Sequence, residues 1–509
     1  MPEYNTAKHA LLQLLVLVFL FSGLPALYAQ DTLREASAPT VSLWGYPVND
    51  RLSNVAAVGS ADTSSFNQGL MADPTGLLTG QIAGVQVYNR GGNPNTLSLF
   101  RVRGLSSYSQ RQPLLVVDGI AGASWYSLDP EDIASVTVLK DGASQAMYGI
   151  RASNGVVLVR TKASSFLRDT LAVSYHGQMA SSVPYPGFPI MDAATFREAG
   201  HWDFGGATDW PEQVQRKAWS QAHNLAVSGR KAGTNFRIAG HFRDVEGVLR
   251  ESGFTQYNLR AYLNRTFFKD ALDVKIHAAY TNRDNQLGFP EAFRYAVGFN
   301  PTIPLELDGL PFSYNESFTG GFYETINLFD SFNPAAIVAL NSNEGRTELL
   351  QTSALATYHI SKRFSVQARY AYEDQFINQR AFYSPDSYFR GNAYSYFEEQ
   401  HGRADLSDQS AGMSLYEAFV HYDKRSDKVS LQATAGTSYT HTSRTADELN
   451  LLGFDNAALL SNKRIRDYDA WAADVYRADT SSSAWSERVS ALFGQVQLSL
   501  NERFHAFAS

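Results

Sequence analysis

Three acidic side chains lie close together at Asp129, Glu131 and Asp132. Closely spaced carboxylates are groups that general acid–base catalysis uses. Asp129 has a simpler explanation, because Asp followed by Pro130 is the pattern of a helix N-cap and its first helical position. The chain contains 50 acidic residues, so the sequence alone singles out no catalytic pair among them.

Other catalytic signatures are absent from the sequence. It contains no G-x-S-x-G, H-E-x-x-H, P-loop, EF-hand or G-x-G-x-x-G motif. The absence of cysteine excludes disulfides, thiolate metal sites and cysteine catalysis, and the net charge of -7 argues against a nucleic-acid partner. We therefore predict a protein that is not an enzyme, with no catalytic, cofactor-binding or metal-binding residues and no cofactor.

The N-terminus has the pattern of an export signal. Lys8 and His9 precede an apolar run at 10–21, and small residues follow near Ala26 and Ala29. The run is shorter than the ~20 residues that a membrane-spanning helix needs. We predict a cleaved signal peptide over residues 1–29, with an N-terminal anchor as the alternative.

Two segments of different composition follow the signal. Residues 30–65 are polar and weakly patterned, which predicts an extended arm. Residues 66–165 are predicted to form a small α/β domain, because short helical segments alternate there with strands at 113–119, 134–139 and 155–162.

Residues 166–509 have a different pattern, with long strands of period-2 alternation. In 364–372, for example, apolar or aromatic side chains at even positions alternate with Ser365, Gln367 and Arg369. Each strand has the length of a tilted strand that crosses a bilayer, ~10 residues. The predicted strands lie near 170–180, 219–229, 234–244, 255–266, 272–280, 346–358, 364–372, 411–422, 429–440 and 488–500, with an eleventh near 503.

The connections between these strands alternate between short and long. Turns of a few residues, such as 230–233 and 360–363, alternate with long segments such as 285–345, with one shorter exception at 245–253. Tight periplasmic turns and long external loops are typical of outer-membrane barrels. We predict a mostly β fold, a transmembrane antiparallel β-barrel with an N-terminal α/β domain. About half of a ~22-strand barrel is expected, in an apparently partial chain. An exported β-sandwich is the alternative.

Four stretches of the small domain follow one another in a family-specific order. They are "LLTGQIAGVQV" (77–87), "FRVRG" (100–104), "PLLVVDG" (113–119) and "LDPEDIASVTVLKDGASQAMYGIRASNGVVLVRTK" (128–162). In order and spacing they resemble the plug of SusC/RagA-like TonB-dependent outer-membrane transporters. "FNPTIPLELDG" (299–309) and "SFNPAAIVAL" (331–340) are similar to barrel loops of the same family. The resemblance implies that residues 66–165 fill the bore of the barrel.

The resemblance also marks the residues of the plug motif. Its glycines are expected in turns with positive φ, and Arg101, Arg103 and Arg151 in ion pairs within the plug or to the barrel wall, rather than in ligand contacts. The matching positions are Arg103, Gly104, Asp118, Gly119, Lys140, Asp141, Tyr148, Gly149, Arg151, Asn154 and Gly155.

Part of the arm resembles the TonB-contact segment of this family. "VSLWGYPVND" (41–50) would pair as an added strand with the periplasmic protein TonB. Pro47 limits that strand, because proline donates no hydrogen bond to a ladder. An ordinary linker is the alternative. The residues assigned to the contact are Val41, Leu43, Trp44, Gly45 and Tyr46.

The resemblance implies energy-coupled import of oligosaccharides or peptides across the outer membrane of a Gram-negative cell. The implied partners are TonB with its inner-membrane motor, a SusD-like lipoprotein lid, the ligand and outer-membrane lipid. A non-transporting surface receptor or sensor for glycans or peptides is the alternative, and a secreted glycan hydrolase is a third hypothesis. Contacts to ligand or lid are assigned to the aromatic residues of one long loop, for which a self-packed loop or an aromatic girdle is an equal alternative. They are Tyr388, Phe389, Tyr394, Tyr396 and Phe397.

Overall fold

The fold is taken from a computed structural model of the chain. The predicted signal peptide and most of the predicted arm lie outside the described residues. The structure describes residues 41–43, 46–48, 57–89, 92–104, 112–185, 189–306, 320–324, 332–389, 401–426, 428–454, 464–465, 477–501 and 504–509.

The small domain, called the plug below, contains two sheets. Five strands follow the order β3-β8-β9-β6-β7, with β6 and β9 parallel and the other neighbours antiparallel, and β4 pairs with β5. The strands of arm and plug are β1 (Val41–Leu43), β2 (Tyr46–Val48), β3 (Val58–Asp62), β4 (Val85–Tyr88), β5 (Leu99–Val102), β6 (Leu114–Val117), β7 (Ile120–Ala121), β8 (Ile133–Leu139) and β9 (Val156–Thr161).

The helices of the plug are short. Asp73, Ser124, Asp129 and Asp141 each begin one by accepting a backbone N–H with the side chain, so the predicted capping role of Asp129 is confirmed. The α-helix is α1 (Gly142–Gln145), and the 3-10 helices are Pro74–Leu78, Trp125–Ser127, Pro130–Asp132 and Ala146–Ala152.

The plug sheet includes residues that the sequence analysis assigned to the arm. The small domain was predicted to begin at residue 66, whereas β3 lies within 30–65 and pairs with β8. The backbone hydrogen bonds of β3 make it the edge strand of the plug. This strand has only five residues, too few for alternation to distinguish it from a polar linker.

Eleven antiparallel strands form one sheet, called the wall below, and each pairs with its neighbours in chain order. All eleven predicted strands are found, most of them longer than predicted. They are β10 (Thr170–Ser182), β11 (Ala218–Lys231), β12 (Thr234–Glu246), β13 (Gly253–Phe267), β14 (Leu272–Gln286), β15 (Ser342–His359), β16 (Phe364–Tyr383), β17 (Arg403–Arg425), β18 (Val429–Leu452), β19 (Arg477–Leu500) and β20 (Phe504–Ala508).

The wall has a polar inner face and an apolar outer face. On β16, Ser365, Gln367 and Arg369 are each 5% exposed, whereas Phe364 is 36% and Tyr370 42% exposed. A water-soluble sheet has the opposite arrangement, with its apolar side chains inside. Polar residues inside and apolar residues outside are expected of a sheet with lipid on its outer side.

The connections are sorted by length as predicted. Tight turns such as 232–233 and 360–363 lie at one end of the wall, and long segments such as 183–217, 287–341 and 384–402 lie at the other. The helices in these segments are α2 (Ala193–Glu198), α3 (Trp210–Val214), α4 (Glu291–Gly298) and α5 (Pro334–Leu340). The last three pack together around Trp210, Ile303 and Ile337, all almost fully buried.

The apolar core of the plug is nearly self-contained. Its largest cluster includes Phe100 and Ile133, and the wall contributes to it only Ala371, Met413 and Leu415 among the described residues. Polar groups therefore have to supply much of the attachment between plug and wall.

Candidate functional site between plug and wall

Asp132 is the centre of the contact between plug and wall. Its side chain is fully buried, and three basic residues of β12 and β13 surround it. The Nε2 of His241 lies 2.9 Å, the Nε of Arg260 3.2 Å and the Nη2 of Arg237 3.4 Å from its carboxylate. Burial alone would raise the pKa of Asp132, but His241, Arg260 and Arg237 outweigh it and lower the pKa to about 2.

Two further plug carboxylates extend this contact. Asp129 lies 3.7 Å from the Nδ1 of His241 and 3.9 Å from the Nε of Arg243. Asp118 lies 3.5 Å from the Nδ1 of His277 and 3.9 Å from the Nη1 of Arg260. We call Asp118, Asp129 and Asp132, with the wall residues Arg237, His241, Arg243, Arg260 and His277, the ionic contact.

The predicted Asp-Gly turn continues from the ionic contact to β16 of the wall. Asp118 and Gly119 have φ of 48° and 87°, and the Asp118 carboxylate accepts hydrogen bonds from the backbone and hydroxyl of Thr161. The carbonyl of Gly119 accepts a hydrogen bond from Arg369 at 2.9 Å, and Arg369 also pairs with Glu417 at 2.8 Å. A Cβ at position 119 would lie 2.5 Å from the Arg369 Cζ, so this approach requires glycine.

Replacing Gly119 with alanine tests this docking. We expect the plug to lose about 2–4 kcal/mol of stability, because alanine is strained at positive φ and displaces Arg369 from a buried ion pair. The loss is measured as faster hydrogen exchange in β6 and β7. Gly142→Ala is the matched control, since nothing lies within 4 Å of the added methyl group there. Equal exchange in the two variants would contradict the assignment.

Side chains of the wall attach other parts of the plug by hydrogen bonds to its backbone. Glu373 of the wall accepts the backbone N–H of Ser124 at 3.1 Å and the amide of Gln351 at 2.7 Å. Arg283 donates to the carbonyl of Pro94 at 3.0 Å, and its guanidinium lies 3.5 Å from the centre of the Phe254 ring. Backbone groups of the plug are thus bound directly by side chains of the wall.

The remaining motif residues shape the plug itself. Gly104, Gly149 and Gly155 have positive φ as predicted, and a Cβ at Gly155 would lie 2.9 Å from Val102. Asp141 caps α1 through the N–H of Ser144, and Lys140 donates to the carbonyl of Ala83 at 3.0 Å. Three further motif residues lie next to these turns or glycines. Arg103 precedes Gly104 and has a positive φ of 56°, Tyr148 precedes Gly149 and is buried, and Asn154 precedes Gly155.

Arg151, one of the three plug arginines predicted to form ion pairs, interacts electrostatically with carboxylates of the wall. Burial lowers the pKa of its guanidinium, and the carboxylates of Glu487 and Glu417 oppose that shift. The sequence analysis assigned the plug's contribution to arginines. In the ionic contact the polarity is reversed, because the plug supplies the carboxylates and the wall supplies the bases.

A change of pH tests the ionic contact. Because the pKa of Asp132 is about 2 in the folded protein and 3.8 ordinarily, ionised Asp132 stabilises the plug above pH ~4. That contribution, about 2 kcal/mol, is lost as the pH falls from ~4 towards ~2. Protease digestion of the plug should increase over this range, and Asp132→Asn should lack this step. An identical pH profile in the variant would contradict the assignment.

Comparison with known proteins identifies this arrangement. Residues 49–156 match the family model "TonB-dependent Receptor Plug Domain". The TonB-dependent receptor SusC of Bacteroides thetaiotaomicron is 30% identical over 322 residues, covering 59% of this chain and 31% of that protein. A structure of the RagAB peptide importer in its 'open-open' state matches with a TM-score of 0.70 at 17% identity, covering 90% of this chain and 55% of that chain. Residues 49–156 are thus a TonB-dependent receptor plug domain, and the chain as a whole is similar to the SusC/RagA-like TonB-dependent receptors.

Other members of this class match over most of the chain. The TonB-dependent receptor P39 of Formosa agariphila is 24% identical over 502 residues, which cover 93% of this chain and 45% of that protein. The chain thus spans less than half the length of these curated relatives. The plug match and these relatives place the chain in the outer membrane.

The predicted TonB-contact segment is described in part. β1 pairs with β2, with Ser42 opposite Pro47, so the proline lies within a short two-stranded ladder. Trp44 and Gly45 lie outside the described residues. The contact of Val41, Leu43 and Tyr46 with TonB stays a prediction.

The aromatic loop is also described in part. Phe389 is 3% exposed and packs against Phe289, Tyr295 and Phe332. Tyr388 is half-buried, with its ring 5.4 Å from that of Phe332. Phe389 therefore supports the core of the external segments, whereas Tyr394, Tyr396 and Phe397 lie outside the described residues.

The external segments also bury a carboxyl group beside this core. Glu324 is 8% exposed and accepts the backbone N–H of Asn333, which caps α5. Burial raises the pKa of Glu324 to about 8, although the Asn333 N–H opposes this. Among the described residues we find no cluster of His, Asp and Glu suited to a metal ion. We also find no described helix with the length and apolarity to cross a membrane.

The sequence analysis missed the five bases of the ionic contact. Their only local signal is that they occupy inward positions of alternating strands, as do many neutral polar residues. Alternation predicts the face on which a residue lies but not the partner that it meets across the bore.

Proposed function

We propose that this protein imports an oligosaccharide or a peptide through a passage that the plug closes. TonB would pull on the arm, and a SusD-like lipoprotein would cover the external mouth. RagAB is described as a peptide importer, and its likeness to this chain shows the fold alone. The observation that carries the proposal is the mostly polar attachment of the plug, which can break and reform in water without exposing a large apolar surface.

The connection between arm and plug supports this mechanism. The arm leads into β3, where Val58 lies opposite Leu139 and Asp62 opposite Ser135. Asp132 directly precedes β8, at the end opposite to the point where force would enter β3. A pull on Val58 along the strand therefore shears β3 against β8. All hydrogen bonds between the two strands then resist the force at the same time. The load would reach the ionic contact.

Locking the plug to the wall tests the proposal. The Glu131 carboxylate lies 3.0 Å from the Nδ1 of His176 on β10, and both side chains are partly exposed. Because the chain has no cysteine, Glu131→Cys/His176→Cys can be joined by a short bismaleimide without background. We expect the joined protein to lose uptake of a labelled oligosaccharide pool or oligopeptide pool that the unmodified chain accumulates.

The control joins two positions of the wall, Gln178→Cys and Ala222→Cys, which lie opposite each other on β10 and β11. This variant should retain uptake. Import at the unmodified rate with the plug locked would contradict the proposal. If cells bind either pool at the surface and accumulate neither, the receptor alternative is favoured.

A further inference from the structure

The outer face of the wall carries an aromatic row that lies 6 to 10 residues from the strand ends at the tight turns. Residues 369, 371 and 373 face the plug, so even-numbered positions of β16 point outward. Across β16 to β18, Tyr370, Tyr416 and Tyr439 lie side by side, with ring centres 5.0 and 6.2 Å apart. The rows nearer the tight turns are mostly apolar, for example Val366, Val420 and Ala435. An apolar band that ends in aromatic residues marks the boundary between lipid and water.

A polar groove lies directly beyond the tyrosine row on the same outer face. It encloses about 290 Å³. Tyr372 and His441 line its lower row, and Asp374, Gly412 and Ser443 form its next row across three strands.

The groove has a floor and a roof. A Cβ at Gly412 would lie 3.2 Å from the Ser443 hydroxyl, so the glycine keeps the floor low. Above the groove, Arg464 lies 4.5 Å from the ring centre of Phe376, and Ile465 packs on an apolar cluster at the ends of β16 to β18. The groove is thus bounded by Arg464 and Ile465 on one side and by the tyrosine row on the other.

We propose that this groove binds the sugar head group of a glycolipid in the outer leaflet. Hydroxyl, carboxylate and imidazole groups provide the donors and acceptors that sugar hydroxyls need, and an aromatic ring provides a face for the apolar side of a sugar ring. The charge of Arg464 acts on the Asp374 carboxylate, so the groove offers both acceptors and donors to a polar head group. The groove lies on the outer face of the wall at the boundary between lipid and water, not in the bore, so its occupant is the head group of a membrane component rather than the transported molecule.

Binding is measured in nanodiscs that contain the full chain, phosphatidylcholine and a minor fraction of digalactosyldiacylglycerol. Native mass spectrometry gives the fraction of protein that retains the glycolipid. We expect Asp374→Asn to weaken retention about tenfold, because it removes charge-assisted hydrogen bonds. Gly412→Leu should abolish retention by filling the groove. Gly240→Leu is the matched control, because Gly240 lies outward on β12 with nothing within 4 Å of an added Cβ.

Retention by both groove variants at the level of the Gly240→Leu control would overturn the proposal. Equal retention of phosphatidylglycerol would also overturn it, since that result indicates a general lipid annulus. Competition by free digalactose as effective as the lipid itself would overturn the assignment to a membrane component. If the Gly412→Leu protein fails to insert into nanodiscs, the Asp374→Asn variant alone tests the proposal, because that substitution conserves the volume of the side chain.

Discussion

Replacing Asp132 with asparagine is expected to loosen the plug by about 2–4 kcal/mol, since removal of one partner leaves buried charges without compensation. His241, Arg260 and Arg237 all lie within 3.4 Å of the Asp132 carboxylate, and asparagine offers them no negative charge. Hydrogen exchange of β8 and β9 should become faster by roughly two to three orders of magnitude. The wall strands should exchange as before, because their ladders do not include Asp132.

The control for Asp132→Asn is Asp423→Asn. Asp423 pairs with Arg425 at 2.9 Å, but both side chains are partly exposed near a tight turn. An exposed pair contributes about 0–1 kcal/mol, so exchange in the plug should not change. A double variant, Asp132→Asn with Arg260→Met, should recover part of the loss, since it also removes one unpaired buried charge. Unchanged protection of β8 in Asp132→Asn would show that the ionic contact does not hold the plug.

Deleting residues 40–48 is expected to abolish import while the barrel stays inserted and the ligand still binds. β1 and β2 pair only with each other among the described strands, so the deletion removes no described strand pairing of plug or wall. The plug sheet begins at Val58, beyond the deletion. Uptake of the two labelled pools measures the effect, and binding to intact cells at low temperature measures ligand capture.

A length-preserving variant separates tethering from recognition. Replacing residues 40–48 with a Gly/Ser segment keeps the reach of the arm but removes the side chains that would anchor an added strand. Loss of uptake in this variant would indicate that TonB recognises the segment itself. Normal uptake by the deletion variant would contradict the role that we propose for the arm.

The two kinds of contact in the plug suit a part that moves as a unit. Inside the plug, Phe100 and Ile133 are each 1% exposed within a continuous apolar cluster. Between plug and wall, charged and polar pairs predominate over apolar contacts. Breaking an apolar cluster exposes surface in proportion to its area, whereas separated charges regain hydration. Force on the arm is therefore expected to separate plug from wall before it unfolds the plug.

The sequence by itself determined the wall strands, the sorting of their connections and the motif turns of the plug. Alternation with period 2 is a local property that lipid on one face and polar side chains on the other impose on each strand, so it is visible without the fold. Turns such as Asp118-Gly119 are likewise local, because positive φ favours particular residue types. Their positions could therefore be predicted residue by residue.

Only the tertiary structure decided which residues meet. His241 faces Asp132, Phe389 lies inside the core of the external segments, and β3 completes the plug sheet. Each of these contacts depends on the stagger of the wall strands and on the orientation of the plug in the bore. Neither quantity is encoded in a local pattern, because any inward polar residue satisfies the alternation equally well.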